Sequence, residues 1–210
     1  MSRKQSIAVA AVVAIVAVAG GMLLARALFT SQGSTQLALA KATLLTPPRP
    51  LPEFELIDQD GSPFTQAQLR GHWSVLFFGF THCPDVCPTT LGVLAKARQE
   101  LSDLPDELQP HVVLVSVDPK RDTPQQLASY VKFFDSSFTG VTGTERSIDE
   151  FTRSIGVPVA ITPTQNGDYS VDHSAALFLI DPQGNMRALF STPHVVSVIA
   201  DDYRRIVKAD

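Results

Sequence analysis

The sequence predicts an α/β domain in which a mixed sheet carries helices on both faces. Short apolar runs at residues 73–80, 111–117 and 175–180 alternate with stretches whose apolar residues recur at helical spacing. The chain then closes on a hairpin and a helix. A length of 210 residues accommodates one such domain with an appendage.

The appendage comes first. Residues 7–25 are rich in Ala and Val and free of charge, 19 positions in all. That is close to the roughly 20 needed to cross about 30 Å of hydrocarbon as a helix. Residues 1–30 are therefore expected to form an N-terminal transmembrane helix. Arg3 and Lys4 precede the run and Arg26 follows it, which favours a cytoplasmic amino terminus and an exported body. A cleaved signal peptide is the competing reading, but its apolar core would be shorter, about 7–15 residues. Residues 31–50 end in Pro47, Pro48 and Pro50 and read as an extended, solvated tether. Residues 51–210 make up the globular domain.

Within that domain residues 54–57 form a short strand, Asp58-Gln59-Asp60-Gly61 a turn, and residues 65–69 a short helical link. Residues 73–80 are almost continuously apolar, as suits a strand covered on both faces. From residue 89 to 101, apolar positions 91, 94, 97 and 101 mark a helix. Residues 111–117 are the next strand, and the two prolines of segment 118–124 impose a loop. A helix follows at 125–134, a short strand at Val141, and a helix at 147–155 that Gly156 and Pro158 stop. Strands 175–180 and 186–190 flank the turn Asp181-Pro182-Gln183-Gly184-Asn185, and residues 195–207 close the fold as a helix.

The chemistry lies at the exit of the apolar run at 73–80. Phe80-Thr81-His82-Cys83-Pro84-Asp85-Val86-Cys87-Pro88 joins that strand to the helix after it. A proline is tolerated in the first turn but not deeper, so the helix is expected to start at Pro88 with Cys87 at its cap and Cys83 on the loop before it. Unpaired amides there favour thiolates, the form that both metal binding and redox exchange require. A structural disulfide between Cys83 and Cys87 would close a very small loop and remove little entropy from the unfolded chain.

Two thiolates select soft ions such as Cu(I); an added imidazole makes a site able to hold copper in either oxidation state. Zinc ordinarily takes a fourth ligand, and no third cysteine exists. Five histidines are available. His72 and His111 precede strands, His82 should point away from its neighbour Cys83, and His194 opens the last helix. His173, in Asp172-His173-Ser174, precedes a strand on a loop at the strand-to-helix end of the sheet. Position alone leaves the choice among them open. A net charge of −4 and the lack of a basic run interleaved with aromatics give no support to a nucleic-acid partner.

With its cysteine loop, Val115-Ser116-Val117-Asp118-Pro119, Arg121-Asp122-Thr123-Pro124 and Val171-Asp172-His173-Ser174, the chain resembles the Sco (SenC/PrrC) family of copper-binding, cytochrome oxidase assembly proteins. The likeness extends over essentially the whole chain. It implies a thioredoxin-like fold in which Cys83, Cys87 and His173 bind one copper ion, Cu(I) or Cu(II), with Asp85 and Asp118 in support. It further implies an upstream copper donor and delivery of copper to the binuclear copper site of a haem-copper oxidase subunit. With the anchor, it places the domain on the periplasmic side of a bacterial inner membrane. The rival reading is a tethered thiol-disulfide oxidoreductase with Cys83 as nucleophile and Cys87 as resolving thiol. Such enzymes usually space their cysteines as C-x-x-C, one residue closer than here.

Overall fold

The computed structural model describes residues 13–22, 25, 37–164 and 169–210. The chain divides into two units, Met1–Ala38 and Leu39–Asp210. In the first, residues 13–22 are helical and exposed. No helix among the described residues is long and apolar enough to cross a membrane. The run at 7–25, expected as the anchor, lies partly outside the described residues.

The second unit is built on eight strands in the order β1-β10-β9-β4-β5-β6-β2-β3. They are β1 (Ala42–Pro50), β2 (Leu56–Asp58), β3 (Pro63–Phe64), β4 (Ser74–Gly79), β5 (His111–Ser116), β6 (Thr139–Thr142), β9 (Leu177–Ile180) and β10 (Asn185–Phe190). β4, β5 and β6 run parallel, while β9 joins β4 antiparallel, so the sheet is mixed. β7 (Val159–Pro163) and β8 (Tyr169–His173) pair only with each other, as a separate two-stranded sheet. The helices are α1 (Val86–Glu100), α2 (Pro124–Phe134), α3 (Glu145–Ile155) and α4 (Val196–Ala209).

Every residue of β4 is buried, because its side chains alternate between two covered faces. Trp73, just before it, meets Tyr203 of α4 edge-on at 6.4 Å, whereas Phe78 meets Phe151 of α3 at 5.8 Å and Phe178 of β9 at 5.5 Å. A fully buried side chain of this kind contributes about 1.5–3 kcal/mol, which makes β4 the axis of the core. The helices start where their caps direct. Thr123 with Gln126 and Thr144 with Ser147 form reciprocal capping boxes at α2 and α3. Gly156 ends α3 in the left-handed region at φ 80°, where any other residue is strained.

The expectation of a solvated tether as far as Pro50 is corrected by this structure. Residues 42–50 are β1, paired antiparallel with β10, with a register shift between Leu44 and Arg49. An edge strand pairs on one side only, so prolines that lack an amide proton are accommodated there. The strand is also pinned from below. The buried carboxylate of Asp202 on α4 accepts the backbone amides of Ala40, Lys41 and Ala42 at 2.8, 2.7 and 2.8 Å.

At the end of the sheet where β4 and β5 begin, the rings of His72 and His111 stack at 4.0 Å. Burial lowers both pKa values, and for His111 the neighbouring His72 and Arg98 lower it further. The unfolded imidazoles, near 6.5, therefore bind protons that the folded ones resist. The pair's contribution to stability is complete above that value and is lost as pH falls through the depressed folded values. Urea unfolding should show a midpoint that drops as pH falls below about 6.5, with a smaller drop in His111→Gln; an identical drop in the variant would remove this pair as the cause.

Candidate metal centre

β4 ends at Gly79, and the chain turns through Phe80 and Thr81 to Cys83, whose amide donates back to the Phe80 carbonyl at 3.3 Å. α1 then begins at Val86, two residues before the start expected from Pro88. Pro88 still lies in the first turn, where amides have no intrahelical acceptor, so its missing proton costs nothing. Cys87 is thus inside the first turn, and the sulfur of Cys83 takes the cap's role by accepting the Cys87 amide at 3.4 Å. Asp85, at the N-cap position, makes no capping bond. Its carboxylate accepts the Thr89 hydroxyl at 3.3 Å.

Cys83 and Cys87 are both free; the first is half-buried and the second fully buried. Helix-end amides were expected to favour thiolates, but at Cys87 burial outweighs them. Desolvation, and then the neighbouring Cys83, push its thiol well above the ordinary range, and the Phe80 backbone pulls it back only in part. A cation among the donors would reverse that balance, since it stabilises the thiolate directly. Gly79 makes room for this sulfur: a Cβ there would lie 2.9 Å from Cys87 Sγ. Motif reading missed Gly79, because only the packing of α1 on β4 reveals the close approach.

The third donor comes from the far end of the chain. His173 ends β8 rather than lying on a loop, and its Nε2 is 3.5 Å from Cys87 Sγ. Its Nδ1 contacts the Ser174 carbonyl at 3.1 Å. A carbonyl can only accept, so Nδ1 carries the proton of the neutral ring and Nε2 presents its lone pair to the sulfurs. Burial lowers the His173 pKa, which keeps that lone pair available. Phe77 and Phe80 meet the imidazole edge-on at 6.2 and 5.8 Å and give it an apolar wall.

Ligand atoms of Cys83, Cys87 and His173 all lie within 4.8 Å of one another, the one such grouping among the described residues. The remaining histidines stand apart from it. His82 is turned toward Thr81 and Asp122, with Nδ1 3.0 Å from the Thr81 hydroxyl and 3.7 Å from the Asp122 carboxylate. His194 Nε2 donates to the Ala175 carbonyl at 2.7 Å. Two sulfurs and one imidazole within reach of a single point are a soft donor set that fits copper.

Beneath the loop, Asp122 is completely buried. It accepts the amide and hydroxyl of Thr81 at 3.0 and 2.6 Å and the Ser116 hydroxyl at 2.6 Å. The end of β4 is thereby fastened to the end of β5. Asp118 accepts the Tyr169 hydroxyl at 2.6 Å and pairs with Arg121. The sequence names Asp118 as a supporting residue and Asp122 only as part of the Arg121-Asp122-Thr123-Pro124 motif; it gives no sign of Tyr169, whose partner is remote along the chain.

A sequence model of the SCO1/SenC family matches residues 44–208. Protein SCO1 homolog 1 of Arabidopsis thaliana, a mitochondrial protein, is 40% identical over 149 residues, which cover 70% of this chain but 44% of that relative's length. Arabidopsis thaliana ScoI with copper bound superposes with a TM-score of 0.70 at 37% identity, covering 75% of this chain and 98% of the other. Bradyrhizobium japonicum ScoI with copper bound gives 0.67 at 34% identity, covering 75% and 99%. With its core, its cysteine loop and its remote histidine all inside the matched residues, the chain belongs to the SCO1/SenC family.

Proposed function

We propose that this chain is a copper chaperone. It captures one copper ion through Cys83, Cys87 and His173 and passes it to the binuclear copper site of a haem-copper oxidase subunit. The observation that carries this reading is the convergence of the three donor groups within 4.8 Å from segments 86 residues apart. The copper held by the Arabidopsis and Bradyrhizobium relatives supports the choice of ion. Family membership supports the oxidase as recipient.

Donation requires exposure and a ligand set that an acceptor can outbid. Cys83 and His173 are half-buried, and three donors leave copper open to an incoming ligand. Loading is gated by redox state, because a disulfide offers no thiolate. The apolar run at 7–25 with Arg3 and Lys4 ahead of it supports a single-pass anchor holding the domain on the periplasmic side of a bacterial inner membrane.

A second role is favoured by the contrast between a reachable Cys83 and a buried Cys87. Cys83 thiolate would attack a partner's disulfide and form a mixed disulfide, which Cys87 then resolves. The partner leaves as a dithiol and this chain as the disulfide.

Copper counting on the reduced and the oxidised protein tests the chaperone. One ion per reduced chain is expected, and none after oxidation. Equal loading in both states, or full loading of Cys83→Ser, would rule the site out. Transfer from the loaded chain to a soluble domain carrying a binuclear copper site tests delivery. Dithiol turnover that survives in His173→Ala would assign the reductase role to the same loop.

A further inference from the structure

We infer that Tyr169 is a positioning residue that holds the hairpin carrying His173 in register with the two sulfurs, and so sets the affinity for Cu(II) separately from that for Cu(I). The inference rests on the ligand reading above. Among the described residues, β7 and β8 pair with each other and with no strand of the eight-stranded sheet, so no backbone ladder there fixes this hairpin to the body. Beyond its chain connections to α3 and β9, its placement falls to side chains. Residues two apart on a strand share a face. On β8 that face is Tyr169, Val171 and His173, whereas Ser170 and Asp172 are exposed. Val171 is buried, 6% exposed, and packs the middle of the strand inward. The copper donor is at one end and Tyr169 at the other, about 13 Å away at strand rise.

Tyr169 is gripped at its hydroxyl, its ring and its backbone carbonyl. Its hydroxyl donates to Asp118 Oδ1 at 2.6 Å. The Arg121 guanidinium lies 3.9 Å from its ring centroid. Arg121 Nη1 also donates to its backbone carbonyl at 3.3 Å. The grip is itself anchored. Asp118 is 3% exposed, pairs with Arg121, and its amide donates to the Ser116 hydroxyl at the end of β5. The clamp therefore ties one end of the hairpin to a central strand. The sulfurs are carried by α1 and the loop after β4; that loop meets the clamp's anchor at Ser116 and Arg121, whereas the Tyr169 hydroxyl bonds Asp118 on the hairpin side. Loosening the clamp should displace the imidazole and leave the thiol pair where it is. Thiolates alone suffice for Cu(I), and the nitrogen donor matters for Cu(II), so the two affinities should separate.

The test uses the full chain as wild type, Tyr169→Phe, Tyr169→Leu and His173→Ala, with Cu(I) and Cu(II) affinities and the Cu(II) thiolate absorption band measured for each. The Phe variant keeps the ring under Arg121 and removes only the hydroxyl, so a folded protein is expected. It should lose about tenfold in Cu(II) affinity, the lower end of the range for residues that orient a ligand, with Cu(I) within about twofold. The Leu variant should lose more, and its band should shift toward that of His173→Ala. Unchanged Cu(II) affinity and spectrum in both Tyr169 variants would overturn the clamp while leaving the ligand reading intact. Parallel loss of Cu(I) and Cu(II) would also overturn it, as general destabilisation. If His173→Ala binds Cu(II) as wild type does, the ligand reading falls and takes the clamp with it.

Discussion

Replacing Asp202 by alanine should lower stability by about 3 kcal/mol, roughly 10 °C in the melting temperature of a domain this size. The carboxylate is 1% exposed and takes three consecutive backbone amides, from Ala40, Lys41 and Ala42. Hydrogen bonds to an ionised acceptor are the stronger kind, and truncation leaves every one of these donors without its partner. The loss should be local as well as global, because these amides lead directly into β1, the edge strand that pairs with β10. Hydrogen exchange of residues 42–45 should speed up more than that of β4. Asp202→Asn should fall between wild type and alanine, since one amide oxygen remains to accept. A loss below about 1 kcal/mol with unchanged protection of β1 would show that the strand is held by its pairing alone.

The second large effect is at the metal centre. His173→Ala should reduce Cu(II) affinity by on the order of a hundredfold, about 3 kcal/mol, and Cu(I) affinity by no more than about tenfold. Cys83→Ser should abolish tight binding of both. The asymmetry follows from ligand softness: two thiolates already satisfy Cu(I), whereas Cu(II) draws more from the imidazole. The geometry makes the experiment clean. Removing the His173 ring takes away its contact with Cys87 Sγ at 3.5 Å and an aromatic neighbour of Phe77 and Phe80, but leaves in place the Cys87 amide bond to Cys83 that starts α1. Equal losses for the two oxidation states would count against His173 as a ligand and favour a site of sulfur alone.

The chain's own letters carried the central elements. β4, β5, α1 and the β9–β10 hairpin were legible because each has a strong local signal: unbroken apolar runs for strands covered on both faces, apolar positions at helical spacing, and a Pro and Gly turn. The β7–β8 hairpin was not, since β7 is mostly exposed and shows no apolar alternation to read. β1 was missed for a related reason: its prolines signal a tether wherever a partner strand is not in view. Asp122 stood in a motif without a stated role and Asp202 carried no local signal; only folding buries them against amides and hydroxyls from other segments.

For the metal centre the division is sharper. The sequence alone determined that two cysteines lie where a buried strand passes into a helix, with donors suited to a soft ion. Motif likeness added which histidine completes the set. Tertiary structure decided the rest: that His173 arrives on a hairpin with its own small sheet, that Gly79 leaves room for the Cys87 sulfur, and that Cys87 is buried while Cys83 is reachable. The physical reason is that spacing along the chain governs only local geometry. Distances between segments 86 residues apart, and the desolvation that shifts a thiol, exist only once the core has packed.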